Sequence, residues 1–186
     1  ERVVVNQLVR SPGVFFTVKV DPSTGRKLFA AELRPMHGSW LEFATTRNDV
    51  IYVKIDKKRK FLATTFLRAI EAIGTGKDEE ILNYFSSLEK NSTHNFIKST
   101  LEKDSTKTNM EALVEIFKKM RVGEPIVLAN AKELLTNMFF NPRRYNLGRV
   151  GRHKLNKKLG LNLPETKENW ILTKEDILKT IAYLIN

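Results

Sequence analysis

Ile51-Tyr-Val-Lys-Ile-Asp-Lys-Lys-Arg-Lys-Phe-Leu-Ala-Thr-Thr-Phe-Leu-Arg-Ala-Ile70 holds the change of period that decides the fold. At its start Ile51, Val53 and Ile55 alternate with Tyr52 and Lys54, the pattern of a strand with one buried face. From Leu62 onward the spacing turns helical. Ala63, Phe66, Leu67, Ile70 and Ile73 share a face, and Gly74 is expected to end the helix. Residues before this switch read as β and most of those after it as helix. The predicted fold class is α+β, a short antiparallel sheet of about five strands followed by a mostly helical part.

Toward the N-terminus, Lys27–Arg34 and Gly38–Ala44 show the alternation less strictly. Asp21-Pro-Ser-Thr-Gly25 reads as a hairpin loop, with proline fixing φ and glycine free to take φ > 0, and Pro35 and Gly38 bracket the next turn. The opening stretch, Glu1-Arg-Val-Val-Val-Asn-Gln-Leu-Val-Arg-Ser-Pro-Gly-Val-Phe-Phe16, reads as a strand running into a Ser-Pro-Gly turn. It carries Asn6, Gln7 and Arg10, which need partners if buried. A chain that opens inside a strand is expected to be cut from something larger.

Toward the C-terminus, Asp78 is expected to cap a helix carrying Ile81, Leu82, Phe85 and Leu88, and a weaker helix spans about His94 to Glu102. Thr108-Asn-Met-Glu111 reads as a capping box opening a helix with Met110, Leu113, Val114, Phe117 and Met120 on its face. Gly123 and Pro125 break the chain before a helix near Leu128 to Phe139. Thr173 caps a last helix whose Ile177, Ile181 and Leu184 face inward.

The 186 residues carry a formal net charge of +11 and no cysteine, which excludes disulfides and thiolate metal sites. That charge favours a polyanionic partner, nucleic acid first and anionic membrane second. No apolar run approaches the ~20 residues of a membrane span. The three histidines, His37, His94 and His153, are never paired at i,i+4, so a histidine metal site is not expected. Gly74-Thr-Gly-Lys77 only glances at a phosphate loop. Glu71 and Asp78 stand where that motif needs Gly and a hydroxyl. No nucleophile motif appears, so the sequence offers no catalytic set and no metal ligands.

Two basic clusters remain. Lys57, Lys58, Arg59 and Lys60 follow a strand and are expected to project from a short turn. Residues 143–158 hold Arg143, Arg144, Arg149, Arg152, Lys154, Lys157 and Lys158 with no acid among them, and Gly148 and Gly151 would let the backbone approach a ligand. Either cluster reads equally as a solvated face or as a nucleic-acid surface. Trp40, after Gly38-Ser39, either fills the core or, exposed beside basic residues, offers a platform on which a base stacks.

Several blocks, in order, resemble the bacterial DNA-directed RNA polymerase beta subunit. They are Glu1–Phe16, Gly38-Ser-Trp-Leu-Glu-Phe43, Val53–Lys60, Ala63-Thr-Thr-Phe-Leu-Arg-Ala69, Met120-Arg-Val-Gly-Glu-Pro125 and Arg144-Tyr-Asn-Leu-Gly-Arg-Val-Gly-Arg152. The resemblance is to the lobe of that subunit, the domain inserted into its protrusion. It implies that residues 1–186 are lobe: 1–60 a β-rich part with its root, 61–140 a helical part, and 141–186 a basic segment and return helix. The implied role is one side of the DNA cleft during transcription, not catalytic alone, within a nucleotidyltransferase whose Mg²⁺ is bound by another subunit.

By position, the resemblance makes Arg10 and Trp40 part of a pocket for the downstream non-template strand. It makes Lys57, Lys58, Arg59 and Lys60 contacts to downstream DNA, and Val5 and Gln7 an edge of the rifamycin pocket. Implied partners are DNA, the remaining polymerase subunits (rest of beta, beta-prime, alpha, sigma factor) and transcription or repair factors, with no membrane, in the cytoplasm at the nucleoid. The runner-up role is a docking module for such factors. His37 stands where many members have Arg, Val122 replaces a Pro, and Asn146 replaces an Asp.

Overall fold

The computed structural model describes residues 10–88, 90 and 94–186. Among these, five strands form one antiparallel meander in the order β1 (Gly13–Val20), β2 (Lys27–Arg34), β3 (Leu41–Thr45), β4 (Ile51–Ile55) and β5 (Arg59–Leu62). Seven helices follow: α1 (Ala63–Ala69), α2 (Asp78–Ser86), α3 (Phe96–Lys103), α4 (Asn109–Met120), α5 (Leu128–Phe139), α6 (Gly148–Leu159) and α7 (Lys174–Ile185). The α+β class stands as read. The opening strand, with Val5, Asn6 and Gln7, lies outside the described residues.

The register explains which side chains point where. Leu33 pairs with Leu41 and Leu41 with Ile55, while Val53 pairs with both Phe43 and Phe61. All six are buried and line the core face. Glu32, Glu42, Lys54 and Lys60 pair across the same strands on the outer face. The hairpin at Asp21–Gly25 joins β1 to β2, with Asp21 Oδ2 accepting from the Thr24 hydroxyl at 2.7 Å. That bond, ahead of those from Ser23, holds the Asp21 carboxyl below its usual value.

Every residue of α1 is buried, because the helix packs against α3, α4, β4 and β5 rather than along one stripe. It ends at Ala69, before the expected Gly74, since Glu71 turns into the left-handed region at φ 54°. Arg68 on this helix is 0% exposed. Its guanidinium donates to Gly76 O at 2.8 Å, to Asp104 Oδ2 at 2.8 Å, and to Thr106 O and Asp78 Oδ1. Asp104 is completed by the Thr64 hydroxyl at 2.6 Å and the Thr106 amide at 2.9 Å.

Three helix starts differ from expectation. Asp78 lies inside α2 rather than capping it, because its carboxylate is committed to Arg68 and to Lys107 Nζ at 2.8 Å. Glu80 does the capping, accepting from the Thr75 amide and hydroxyl, each at 2.9 Å, and from the Lys77 amide at 3.3 Å. On α4, Thr108 caps Glu111 as expected, but Glu111 returns its bond to the Lys107 amide. Met110 is 58% exposed, and the buried face runs through Ala112, Leu113, Ile116 and Phe117 instead. The basic stretch after residue 147 is itself a helix, α6, held to α7 from within. Arg152 and Asp176, both 0% exposed, meet at 2.8 Å and 2.9 Å, and Arg152 also reaches Asn169 O and Ile171 O, each at 2.5 Å. Asp176 completes the expected cap of α7, bonding the Thr173 amide at 2.8 Å while its own amide donates to the Thr173 hydroxyl at 3.1 Å.

Two outcomes are expected. Arg152→Met strands a buried carboxylate and should cost about 3–5 kcal/mol in urea unfolding, while adding Asp176→Leu should recover only part, because the Thr173 amide and the carbonyls of Asn169 and Ile171 stay unpaired. The Thr75 hydroxyl chiefly lowers the Glu80 pKa, so the Glu80 contribution is complete above the ordinary carboxylate value and lost as pH falls through the folded one. Thr75→Val should therefore raise the Glu80 midpoint in a carboxyl NMR titration, and Glu80→Gln should make the acid loss of stability shallower.

Candidate nucleic-acid interface

Trp40 immediately precedes Leu41, whose side chain is fully buried, so the pleat turns the indole to the outer face of the sheet. The core reading of Trp40 is thereby excluded. Its backbone is tied to the β4–β5 turn. The Trp40 amide donates to Asp56 Oδ1 at 2.8 Å, and the Asp56 amide donates back to Trp40 O at 3.0 Å. Asp56 and Lys57 both adopt left-handed φ, 50° and 63°, and the Lys58 amide donates to Ile55 O at 3.2 Å. These are the marks of a type I′ turn, which follows the twist of the flanking strands. Asp tolerates that conformation; Lys is held in it at a cost.

The turn delivers Lys57 Nζ to 4.8 Å from the Trp40 ring centroid. Arg10, exposed at the start of the described chain, places its guanidinium carbon 5.4 Å from the same ring. Arg34 contributes a third cation at 5.1 Å. Sequence reading missed Arg34. Continuing the β2–β3 register by one residue past Leu33↔Leu41 sets Arg34 opposite Trp40, so the pairing was the signal that could have found it.

The Lys57–Lys60 cluster divides. Lys57 sits at the indole, and Lys58 is exposed on the turn. Arg59 and Lys60 open β5 rather than projecting from the turn. Lys60 lies on the outer face with its ammonium 3.8 Å from the Tyr52 centroid. Arg59 pairs with Ile55, a core-face position, and therefore emerges on the side of the sheet away from Trp40. Among the described residues, none of these four cations forms an ion pair.

The second basic cluster divides further. Arg152 is buried in its pair with Asp176 and faces no ligand. Arg149 and His153 both reach Glu165, at 3.4 Å and 2.6 Å, so the acid missing from the local sequence arrives from the loop beyond α6. The His153 bond is the main cause of the lowered Glu165 pKa. Gly151 serves packing, since a Cβ there would meet Pro12 Cβ and Leu147 Cβ at 3.1 Å each, whereas Gly148 serves the backbone, which takes a left-handed φ of 67° at the start of α6. Lys154 donates to the Ser11 hydroxyl, next to Arg10 in the chain.

The site is thus an outer-face indole ringed by three cations from β2, the β4–β5 turn and the segment before β1. Chemically it offers a π-face for stacking and positive charge for phosphate. Among the described residues no three His, Asp or Glu side chains converge as metal ligands, and no helix is long and apolar enough to cross a membrane.

Comparison with known proteins shows the family. Residues 10–186 match the family model described as RNA polymerase Rpb2, domain 2. The DNA-directed RNA polymerase subunit beta of Gloeobacter violaceus is 47% identical over the whole chain, and that of Synechocystis 48%; the chain spans 16% of each. The Clostridium kluyveri subunit is 50% identical over 163 residues, 88% of the chain and 12% of that subunit. The chain accordingly belongs to the RNA polymerase Rpb2 domain 2 family, in the form similar to bacterial beta subunits.

Proposed function

We propose that this chain is the lobe of a bacterial RNA polymerase beta subunit, forming one side of the DNA cleft and holding the displaced non-template strand downstream. The observation that carries this reading is the indole of Trp40, on the outer face of a backbone held by Asp56 and surrounded by Arg10, Arg34 and Lys57. An indole has two faces, and cations occupy its surroundings before any ligand arrives. A base stacking there would displace the exposed Arg10 or Lys57, whose charge then meets the adjacent phosphate. Base–aromatic stacking contributes about 1–3 kcal/mol and tolerates any sequence, so the reading implies weak base preference. Lys58 and, on the other side, Arg59 supply further charge to DNA passing the turn.

The reading gives the chain no share in bond making. Nucleotidyl transfer and its Mg²⁺ are assigned to another subunit of the whole enzyme, and the residues here hold and orient a strand. Val5 and Gln7, proposed as a border of the rifamycin pocket, lie outside the described residues. The alternative, a docking module for transcription or repair factors, draws on a different feature. Residues 121–130, the α4–α5 connection and the first turn of α5, are all exposed, and they include Val122, Ile126, Val127 and Leu128.

Fluorescence anisotropy with a labelled 12-nucleotide oligothymidylate tests the DNA reading. Binding should fall steeply with salt, and Trp40→Leu should weaken it by at least about fivefold. Lys57→Gly should hold or raise thermal stability, because glycine removes a left-handed strain of about 1 kcal/mol. The same variant should reduce the slope of log K against log salt by about 0.7, one phosphate contact on a single strand. Unchanged affinity in Trp40→Leu, or salt-independent sub-micromolar binding to one duplex, would overturn the proposal.

A further inference from the structure

We propose that the single strand stacked on Trp40 continues onto a second ring, Phe15, with Lys154 of α6 as its phosphate contact. The inference rests on the single-strand reading above and extends it from one base to two consecutive nucleotides. Phe15 pairs with Glu32 on the outer face of the sheet, on the same side as Trp40 and away from the core. Burial does not require a phenyl ring there. Arg34 lies between the two rings, its guanidinium carbon 4.4 Å from the Phe15 centroid and 5.1 Å from that of Trp40. The rings are therefore close enough for neighbouring nucleotides of one strand to meet both.

Arg34 is held in that position by Glu32, whose Oε2 accepts from Arg34 Nε at 2.7 Å and pairs with its terminal nitrogen at 2.5 Å. This carboxylate neutralises Arg34 locally, so Arg34 acts as a braced spacer that orients both rings. The phosphate charge comes from either end of the row. Lys57 stands at the Trp40 end, and Lys154 at the Phe15 end, its ammonium 5.9 Å from the phenyl centroid. The chain makes room for Lys154. Gly13, at φ 144°, lies beneath its stem, and a Cβ there would come within 3.1 Å of Lys154 Cδ. The order Lys57, Trp40, Arg34, Phe15, Lys154 alternates cation and ring from the β4–β5 turn to α6.

Such a row suits an unpaired strand. Bases inside a duplex present edges in the grooves, whereas the faces of rings need bases that have left the stack. Two rings in series also predict a length requirement that one ring would not impose.

The test measures anisotropy of the 12-nucleotide oligothymidylate with the 186-residue chain and with Trp40→Leu, Phe15→Leu, Phe15→Trp and Lys154→Met, checking each fold by circular dichroism. Phe15→Leu should weaken binding at least about fivefold, and Phe15→Trp should match or exceed the parent. Lys154→Met should lower the salt slope by about 0.7. A loss in Trp40→Leu with no change in Phe15→Leu and Lys154→Met would overturn the second position and leave the first intact. No loss in Trp40→Leu would overturn both. If Phe15→Leu fails to fold, Phe15→Trp and the Lys154→Met slope decide the matter: weaker binding in the first with an unchanged slope in the second contradicts the proposal.

Discussion

A guanidinium with no access to water ties the first helix of this chain to the helices and loops that follow it. Arg68 extends from α1 into a site made by the loop before α2 and the loop before α4, and each of its three nitrogens finds an oxygen. An unpaired charge there would cost several kcal/mol, so the carbonyls of Gly76 and Thr106 and the carboxylates of Asp78 and Asp104 are conditions of the fold. Arg152 repeats the device between α6 and α7 with Asp176. These two arginines contribute positive charge to the composition and none to the surface.

The cations that do reach the surface near Trp40 depend on a smaller constraint, the two hydrogen bonds between Trp40 and Asp56. They lock the start of β3 to a turn in which Lys57 is kept left-handed. Lysine is a poor choice there on conformational grounds, and strain of this kind persists only where the surroundings impose it. Its position against the indole gives that strain a use. The sheet thus buries one face against α1 and α4 and leaves Trp40, Phe15 and their cations on the opposite face, beside the edge where β1 meets α6.

The α+β class and most helices were legible, because they rest on local periodicity and on short-range caps such as Thr108 and Thr173. What was not legible was pairing at a distance. Nothing near Arg152 in the sequence announces Asp176, and the acid-free look of residues 143–158 hid Glu165 as a partner of Arg149 and His153. Asp78 looked like a cap because its claim by Arg68 is tertiary. Met110 was placed inward on helical spacing that the packing of α4 rotates outward. At the site, Arg10 and Lys57 both stand at the Trp40 ring, although the sequence had set Lys57 apart with the basic turn; Arg34 required the strand register, and Arg59 falls on the other face for the same reason.

The central claim is that single-stranded DNA contacts the indole of Trp40 itself. The most direct measurement is the intrinsic fluorescence of the Trp170→Phe variant, in which Trp40 is the sole tryptophan, titrated with unlabelled oligothymidylate. Stacking predicts saturable quenching whose midpoint shifts to higher DNA concentration as salt rises. Binding seen by anisotropy with the Trp40 emission unaltered would place the DNA elsewhere on the molecule and contradict the account.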